Sequence, residues 1–367
     1  MDERNRRENP FIPSFGELPY SLAGRRDETH HISRAFEASG RDPYLFTLLT
    51  GARGTGKTAL LSYAAQEAEV NGWIAVSTFA VPWMLEMLYE SACDKAAHIV
   101  DISEGAHLTG ITAGPVGASW EHPVGEQASW HTRMSRLVSK LSERGTGVLF
   151  TLDEVDPELD EVIMLVSSCQ IFVREGLRVA LYIAGLPRAT SQLISHQSVS
   201  FLRRAMRFRL GSVADYDAEL ALEKTILAAG KTIDADALAY AAKATGGYPF
   251  MIQLVGYRIW EWGEEHDGLT ADDARRGVAT AQREFDDRIL APSFYDLSNM
   301  DRAFLRAMLE DDGPSTLSDI AQRLGRGNSY AAQYKRRLLD QGVIEEGYDK
   351  GLSFALPGMR EFIAAQG

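Results

Sequence analysis

The stretch Gly51-Ala52-Arg53-Gly54-Thr55-Gly56-Lys57-Thr58 decides the fold of this chain, because it is a complete G-x-x-x-x-G-K-[ST] motif. It follows an apolar run at 45–50 and opens a helix-like stretch at 57–70. Glycines let the backbone turn tightly, so that successive N–H groups converge on phosphate oxygens. The N-terminus of the following helix adds further unpaired donors. The motif therefore predicts a phosphate-binding loop (P-loop) between a strand and a helix.

Two side chains of the P-loop carry the expected chemistry. Lys57 is expected to neutralise the β- and γ-phosphates of a nucleotide, and the Thr58 hydroxyl is expected to ligate Mg²⁺. The alternative is a glycine-rich surface turn with an ordinary lysine, which the strand-to-helix position disfavours. The loop residues expected to bind the nucleotide together with Lys57 and Thr58 are Gly51, Arg53, Gly54, Thr55 and Gly56.

A second element is the apolar run at 148–152, which ends in the pair Asp153-Glu154. If this strand lies beside the first one, Asp153 comes next to the water shell of Mg²⁺. Glu154 could then orient or deprotonate an attacking water. The alternative is a solvated acidic turn after a strand. No N-K-x-D guanine motif occurs anywhere in the chain, so the sequence favours ATP with Mg²⁺ and an ATPase activity.

Strands and helices alternate over the first two thirds of the chain, which predicts an α/β fold with a mostly parallel sheet covered on both faces. A Gly/Ala-rich stretch at 105–125 is interpreted as an inserted loop, and 215–290 is expected to be wholly helical until Pro292 breaks the pattern. The predicted division is 1–43 for an N-terminal arm and linker helix, 44–212 for a P-loop ATPase core, 213–292 for a helical lid and 293–367 for a C-terminal module. The strands are expected at 45–50, 73–79, 148–152, 179–184 and 208–210, with helices at 82–100 and 129–143 between them.

The C-terminal module shows helical patterns at 299–310, 319–324 and 329–341, followed by strands near 343–344 and 352–356. This order predicts a winged helix-turn-helix, whose third helix could contact duplex DNA. Yet residues 299–367 hold nine Lys/Arg against ten Asp/Glu, whereas a dedicated DNA-binding domain is usually basic. A protein-docking role therefore stays open. The candidate DNA contacts are Ser329, Gln333, Lys335, Arg336 and Arg337.

Composition limits the other possibilities. The 367 residues are 45% hydrophobic and 24% charged, with a net charge of −13, so any polyanion must be bound by a local patch. No apolar run is long enough to span a membrane, and the charged first ten residues do not read as a secretory signal. The two cysteines, Cys93 and Cys169, have no metal-ligand spacing. We expect a cytoplasmic protein that does not contact a membrane.

Three segments together resemble the archaeal-type and origin-recognition-type AAA+ ATPases, which are related to the STAND ATPases. They are the pair Asp153-Glu154, the segment Leu22-Ala23-Gly24-Arg25, and Gly246-Gly247-Tyr248-Pro249. The resemblance implies that Gly24 and Arg25 lie near the adenine, and that Pro249 closes over the base from the lid. It also implies that the C-terminal tail is a winged helix.

The chain departs from that family in its sensor residues. The strand at 179–184 is followed by Gly185-Leu186-Pro187 and offers no polar sensor, and no arginine follows Pro249 in the next helical turns. Arg203 or Arg204 could supply an arginine finger. Slow hydrolysis is therefore expected. Two functions remain open: a DNA-associated ATPase, or a STAND-type switch whose winged helix binds protein, through self-association or an unidentified partner. A P-loop that uses ATP only structurally is a third possibility.

Overall fold

A computed structural model describes residues 8–14, 16–38, 41–101, 124–347 and 349–366 of the chain, without the side chains of 124–129. The predicted inserted loop at 105–125 lies outside the described residues except for its last two positions, which open a helix. The first seven residues of the predicted arm also lie outside them.

The described core contains a five-stranded parallel sheet in the order β2-β3-β4-β1-β5, which confirms the α/β fold. The sequence predicted each strand to within a few residues. The signal is strongest for β3 and β4, which are buried along their whole length and mostly apolar. The strands are β1 (Phe46–Gly51), β2 (Ile74–Phe79), β3 (Val148–Asp153), β4 (Val179–Gly185) and β5 (Met206–Leu210).

One expectation about the sheet is wrong. The strand that ends at Asp153 does not lie beside β1, because β4 is inserted between them and pairs Leu48 with Ile183 and Leu152 with Ile183. The helix that follows the P-loop, α2 (Lys57–Val70), crosses this gap, since it contacts β1, β4, β3 and β2. The start of α2 can therefore meet the end of β3 across the intervening strand.

Helices cover both faces of the sheet. On one face, α1 (Arg26–Glu37) packs with α2 around buried residues such as Phe36, Leu60 and Tyr182. The other face buries Phe150 and its neighbours. The helices of that face are α3 (Met84–Ala96), α4 (Val124–Glu143), α5 (Asp160–Arg174) and α6 (Pro187–Ser195), with a 3₁₀ segment at Gln197–Arg204.

The lid is formed by α7 (Asp215–Ala228), α8 (Ala235–Ala244), α9 (Pro249–Trp262) and α10 (Ala271–Phe285). It is not wholly helical as predicted, because β6 (Thr232–Ile233) and β7 (Gly268–Leu269) form a small parallel pair. Each of these strands has only two residues, which is too short for the alternating pattern by which a strand is predicted from sequence.

Pro292 does not end the helical pattern as the sequence suggested. A π-helical turn at Asp286–Leu290 joins α10 directly to α11 (Ala291–Tyr295), in which Pro292 occupies the first turn. Proline lacks an N–H and its ring collides with the carbonyl four residues earlier in an α-helix. The wider π turn, in which the Ala291 N–H donates to the Asp286 carbonyl, accommodates it. The helix thus continues past 292, the last residue of the predicted lid.

The C-terminal region consists of α12 (Asn299–Met308), α13 (Leu317–Arg323), α14 (Asn328–Asp340), the antiparallel pair β8 (Ile344–Glu346) and β9 (Leu352–Phe354), and α15 (Met359–Ala365). Its buried residues, among them Phe304, Leu338 and Ile363, belong to the same apolar cluster as Trp260 and Phe285 of the lid. The lid and the C-terminal region therefore share one core. Among the described helices, none has the length and apolar character needed to cross a bilayer.

Candidate nucleotide site

A cavity of about 430 Å³ opens where the strands of the sheet end. Its walls come from the P-loop, the carboxyl ends of β3 and β4, the start of α9 and the N-terminal arm. Ligands in open α/β sheets bind at this edge, so the fold places the cavity where the sequence predicted a phosphate site.

The P-loop has the backbone conformation that its glycines allow. Gly54 and Gly56 have φ of +74° and +89°, values that side chains rarely adopt, and α2 begins at Lys57 as predicted. Of the predicted loop residues, only Gly51 does not line the cavity; its carbonyl accepts a hydrogen bond from Lys57 Nζ at 3.0 Å. The loop residues that line the cavity are Arg53, Gly54, Thr55, Gly56, Lys57 and Thr58.

The ammonium of Lys57 is held by its own loop, because Nζ also donates to the Ala52 carbonyl at 2.7 Å. Burial lowers the pKa of Lys57 to about 8, although the negative charges of Asp153 and Glu154 act in the opposite direction. The positive charge of Arg53 lowers the pKa further. Phosphate oxygens of a bound polyanion would stabilise the charged form of Lys57 and so raise its pKa again.

The two residues expected to hold the metal ion, Thr58 at the start of α2 and Asp153 at the end of β3, are in contact. Thr58 Oγ1 donates to Asp153 Oδ2 at 2.5 Å. A hydroxyl beside a carboxylate fits Mg²⁺, which takes hard oxygen ligands and keeps several waters. The described residues contain no cluster of three or more His, Cys, Asp or Glu that could hold a metal alone, and a magnesium ion bound jointly by phosphates needs none. Thr58 would coordinate the ion and Asp153 would bind its water shell.

Glu154 lies at the cavity with an unusual backbone. Its φ is +49°, and its N–H donates to Asp153 Oδ1 at 2.8 Å. A non-glycine residue in this region costs on the order of 1–3 kcal/mol, and such residues cluster at functional sites. The exposed side chain of Glu154 is one of the cavity walls, so it can reach a water near a bound phosphate.

The N-terminal arm is a wall of this cavity, which the sequence did not indicate. Asn9 Nδ2 donates to the Tyr257 carbonyl at 3.1 Å, and the Ile12 N–H donates to Gln253 Oε1 at 3.1 Å. Phe11 is buried against the lid. The residues of this segment that line the cavity are Ile12, Ser14, Gly16, Glu17, Pro19, Ser21, Leu22 and Ala23. An apolar Phe11 within a turn-rich segment is the only local signal of this docking.

Arg25 lines the cavity, whereas its neighbour Gly24 packs behind it against Val213. The Arg25 side chain donates to the carbonyls of Gly211 and Thr55, and burial lowers its pKa. The guanidinium of Arg25 thus connects the start of α1 to the P-loop at Thr55 and to Gly211.

The lid contacts the P-loop through the start of α9. Pro249 is in the first turn and lines the cavity, and the Phe250 N–H donates to the Gly54 carbonyl at 3.2 Å. The Tyr248 hydroxyl donates to the Arg53 carbonyl. The sequence singled out Pro249 but not Tyr248, whose contact spans 195 residues.

The described walls of the cavity at the end of β4 and at the start of α9 are largely apolar. The end of β4 offers Gly185 and Leu186, and the side chain of Val155 fills the space beside Gly185. The start of α9 brings no cation to the cavity. Arg203 and Arg204 are exposed in the 3₁₀ segment before β5 and do not line the cavity, so either could act only on another molecule.

Not all candidate DNA contacts are free. Lys335 Nζ lies 2.6 Å from Glu346 Oε1, and Arg337 lies 3.0 Å from Asp301, which is fully buried. The structure exposes four of the candidates on α14, namely Ser329, Gln333, Arg336 and Arg337, and of these Arg337 is the one in an ion pair between described residues.

The C-terminal region also contacts the P-loop. Gly342, just after α14, has φ +70°, and a Cβ built on it would lie 3.2 Å from the Ala52 Cα. Beside this contact, Arg188 Nε of α6 lies 3.9 Å from Asp340 Oδ2 of α14.

Comparisons with known proteins agree with this architecture. The family described as AAA ATPase domain matches residues 21–169, and a domain of unknown function (DUF8462) matches residues 287–363. A search of curated proteins found no match.

Several solved structures share the fold over nearly their whole length. The Aeropyrum pernix ORC2 protein, solved as ADPNP–ADP complexes, has 14% identity and a TM-score of 0.62, with 96% of each chain covered. A Walker-type ATPase of Pyrococcus abyssi has 14% identity and a TM-score of 0.65, covering 94% of this chain and 96% of that one. Cdc6p from Pyrobaculum aerophilum has 16% identity and a TM-score of 0.51, with 96% of each covered. Residues 21–169 are therefore similar to the AAA ATPase domain family, and the chain shares its overall fold with these three structures.

Proposed function

We propose that this protein is a slow Mg²⁺-dependent ATPase that couples its nucleotide state to a C-terminal winged helix-turn-helix contacting duplex DNA. The observation that carries the first part is the contact between Thr58 and Asp153, with Lys57 and Glu154 in the same cavity. These four side chains are those that phosphoryl transfer to water needs in a P-loop protein.

In this scheme the oxygen of a water forms a bond to the γ-phosphorus while the bond to the β–γ bridging oxygen breaks. Glu154 accepts the proton of that water and returns it to solvent. Lys57 holds the charge that develops on the ADP leaving group. Thr58 would hold Mg²⁺ and Asp153 would bind its water shell, and the ion, when bound, would supply positive charge against the phosphates. The apolar end of β4 leaves the water without a second positioning group, which favours slow turnover.

The coupling rests on the contact between Gly342 and Ala52. Because α14 ends on the P-loop and Asp340 is paired with Arg188, a shift of the P-loop on nucleotide binding reaches α14 directly. The same helix carries Arg336 on its exposed side. One rigid helix thus connects the phosphate site to the surface proposed for DNA.

The winged-helix assignment rests on the order of elements. The helices α13 and α14 are joined by a short turn, and the β8–β9 hairpin follows, held to the start of α13 by the bridge between Ser315 and Leu352. A recognition helix contacts phosphates and base edges through its exposed polar side chains. On α14 the exposed candidates without an ion pair to a described residue are Ser329, Gln333 and Arg336.

A second function, a STAND-type switch whose winged helix binds protein, is favoured by the ion pairs of α14. Lys335 and Arg337 are engaged with Glu346 and Asp301, which leaves little free positive charge for phosphates. In this alternative, ATP binding changes self-association or the capture of a protein partner, and DNA has no effect.

The test is steady-state ATP hydrolysis by the purified chain, with and without duplex DNA. Lys57→Ala serves as the blank, and Glu154→Gln should bind ATP normally while turnover falls on the order of 10²-fold. Stimulation by DNA that is lost in Arg336→Ala, but kept in Arg174→Ala at the far end of α5, supports DNA coupling. Turnover that ignores DNA, together with a nucleotide-dependent change of oligomeric state, supports the switch. If wild type and Lys57→Ala bind nucleotide equally, the ATPase proposal is wrong.

A further inference from the structure

The terminal phosphate of a nucleoside triphosphate needs a positive charge beyond the P-loop lysine in most P-loop enzymes. Among the described residues that line the cavity, the cations are Arg25, Arg53 and Lys57. What each charged group already binds decides which of them can take this role.

Two of these cations are engaged. Arg25 is only 9% exposed, and its side chain donates to two backbone carbonyls. The Lys57 ammonium donates to the Gly51 and Ala52 carbonyls, and its place in the motif commits it to the β- and γ-phosphates. Arg53 differs from both, since its side chain is exposed and makes no hydrogen bond or ion pair with any described residue.

The other arginines near the site are held elsewhere. Arg188 follows the end of β4 but is paired with Asp340, and Arg258 of α9 lies 2.6 Å from Glu284. Arg203 and Arg204 are exposed outside the cavity. Within the described residues, Arg53 is the cation at the cavity that has no other partner.

We propose that the Arg53 guanidinium binds the terminal phosphate of ATP within the same chain, and so takes the place of an arginine finger from a neighbouring molecule. This inference rests on the ATPase function proposed above. As the γ-phosphoryl group passes from the β–γ bridging oxygen to water, Arg53 donates hydrogen bonds to its equatorial oxygens. Planar guanidinium groups suit this task because they can bind two oxygens at once.

Local contacts hold the backbone of Arg53 in place. Its carbonyl accepts the hydrogen bond of the Tyr248 hydroxyl, and the following Gly54 turns the chain back with a φ of +74°. The charge of Arg53 acts on Lys57, whose pKa it lowers in addition to the larger effect of burial. Arg53 and Lys57 therefore place two positive charges at the same cavity, and these charges repel each other. The larger negative charge of a triphosphate offsets this repulsion more than a diphosphate does.

The test compares affinities of the full chain for ADP and for a non-hydrolysable ATP analogue, both with Mg²⁺, by calorimetry. Arg53→Ala should bind the analogue about ten-fold or more weakly, which is the scale of one lost charge-assisted hydrogen bond, while the affinity for ADP stays within about two-fold. Arg53→Lys should recover part of the loss. Arg174→Ala, which removes an exposed arginine at the opposite end of the sheet, should change neither affinity.

Hydrolysis supplies the second readout. The turnover number of Arg53→Ala should fall about 10³-fold, and specific activity of the wild type should not depend on protein concentration. An unchanged ratio of ATP-analogue to ADP affinity in Arg53→Ala overturns the proposal. So does activity that rises with protein concentration and is lost in Arg203→Ala or Arg204→Ala. The wild type and Lys57→Ala report separately on the ATPase function, so the two proposals fail in distinguishable ways.

Discussion

The hydroxyl of Tyr248 donates a hydrogen bond to the backbone carbonyl of Arg53. Tyr248 stands just before α9 in the lid and is 1% exposed, and Arg53 is part of the P-loop. The lid is therefore attached to the P-loop by a side-chain bond as well as by the Phe250–Gly54 backbone contact.

Replacing Tyr248 with Phe should lower the free energy of unfolding by about 1 kcal/mol, the usual net value of one buried hydrogen bond. Because the lost bond joins the lid to the phosphate site, nucleotide affinity should fall several-fold as well. Tyr240→Phe, at a half-exposed position of α8, is the matched control. Denaturant unfolding and calorimetry measure the two effects, and equal behaviour of both variants would show that the bond contributes nothing.

The pKa of Lys57 gives a pH dependence with a definite sign. Burial holds that pKa near 8 in the free protein, and phosphates favour the charged form. Nucleotide binding above this pH must take up a proton, so affinity should fall as pH rises through about 8. Calorimetry in buffers of different ionisation enthalpy detects the uptake. Lys57→Arg should flatten the profile, because its guanidinium stays charged; a profile that does not change contradicts the assignment.

The same group affects stability in the opposite direction. The unfolded chain keeps the proton of Lys57 until its ordinary pKa of 10.5, whereas the folded chain releases it near 8. Between these values the unfolded state binds more protons, so the contribution of Lys57 to the free energy of unfolding rises with pH.

The contact of Gly342 with the P-loop can be separated from backbone strain by a matched pair. Gly342 and Gly325 have similar φ, +70° and +62°, but only a Cβ at Gly342 would meet other atoms, those of Ala52 and Leu186. Gly325→Ala should therefore cost only the left-handed conformation, about 1 kcal/mol. Gly342→Ala should cost more and should speed nucleotide dissociation, as measured by stopped-flow release. Identical release rates in the two variants would argue against coupling through this contact.

Arg337→Ala should destabilise the C-terminal region by about 2 kcal/mol, because it leaves Asp301 as a buried carboxylate without its cation. Arg336→Ala, at the next position but without an ion pair in the described structure, should stay within about 0.5 kcal/mol of the wild type. Thermal unfolding checks both. Equal stabilities would mean that Asp301 does not need Arg337. DNA-binding experiments should rely on Arg336 for this reason.

What the sequence predicted well was local. The P-loop and the bounds of α2 at Lys57–Val70 depend on consecutive residues, and so do the buried strands β3 and β4. The insertion of β4 between β1 and β3 could not be predicted in this way, since strand order depends on pairings between distant segments. The docking of Asn9 on Tyr257 spans 248 residues and leaves no pattern in either segment.

Local rules also failed where the backbone adapts. Pro292 correctly indicated a departure from regular α-helix, but the departure is a π turn before the proline, after which the helix continues. The basic character of α14 was visible in the sequence, whereas the pairing of Lys335 with Glu346 and of Arg337 with Asp301 was not. Counting Lys335, Arg336 and Arg337 together therefore overstated the free positive charge of this helix.

The helical run from Ala271 to Tyr295 is unbroken. Its later turns lie at the nucleotide cavity, because Phe285 contacts Tyr248 and Phe250 and Ile289 lines the cavity. Its last turn leads into the C-terminal region, with which the lid shares its core. One wall of the nucleotide cavity and the entry to the C-terminal region therefore stand on the same continuous helix, with no loop between them.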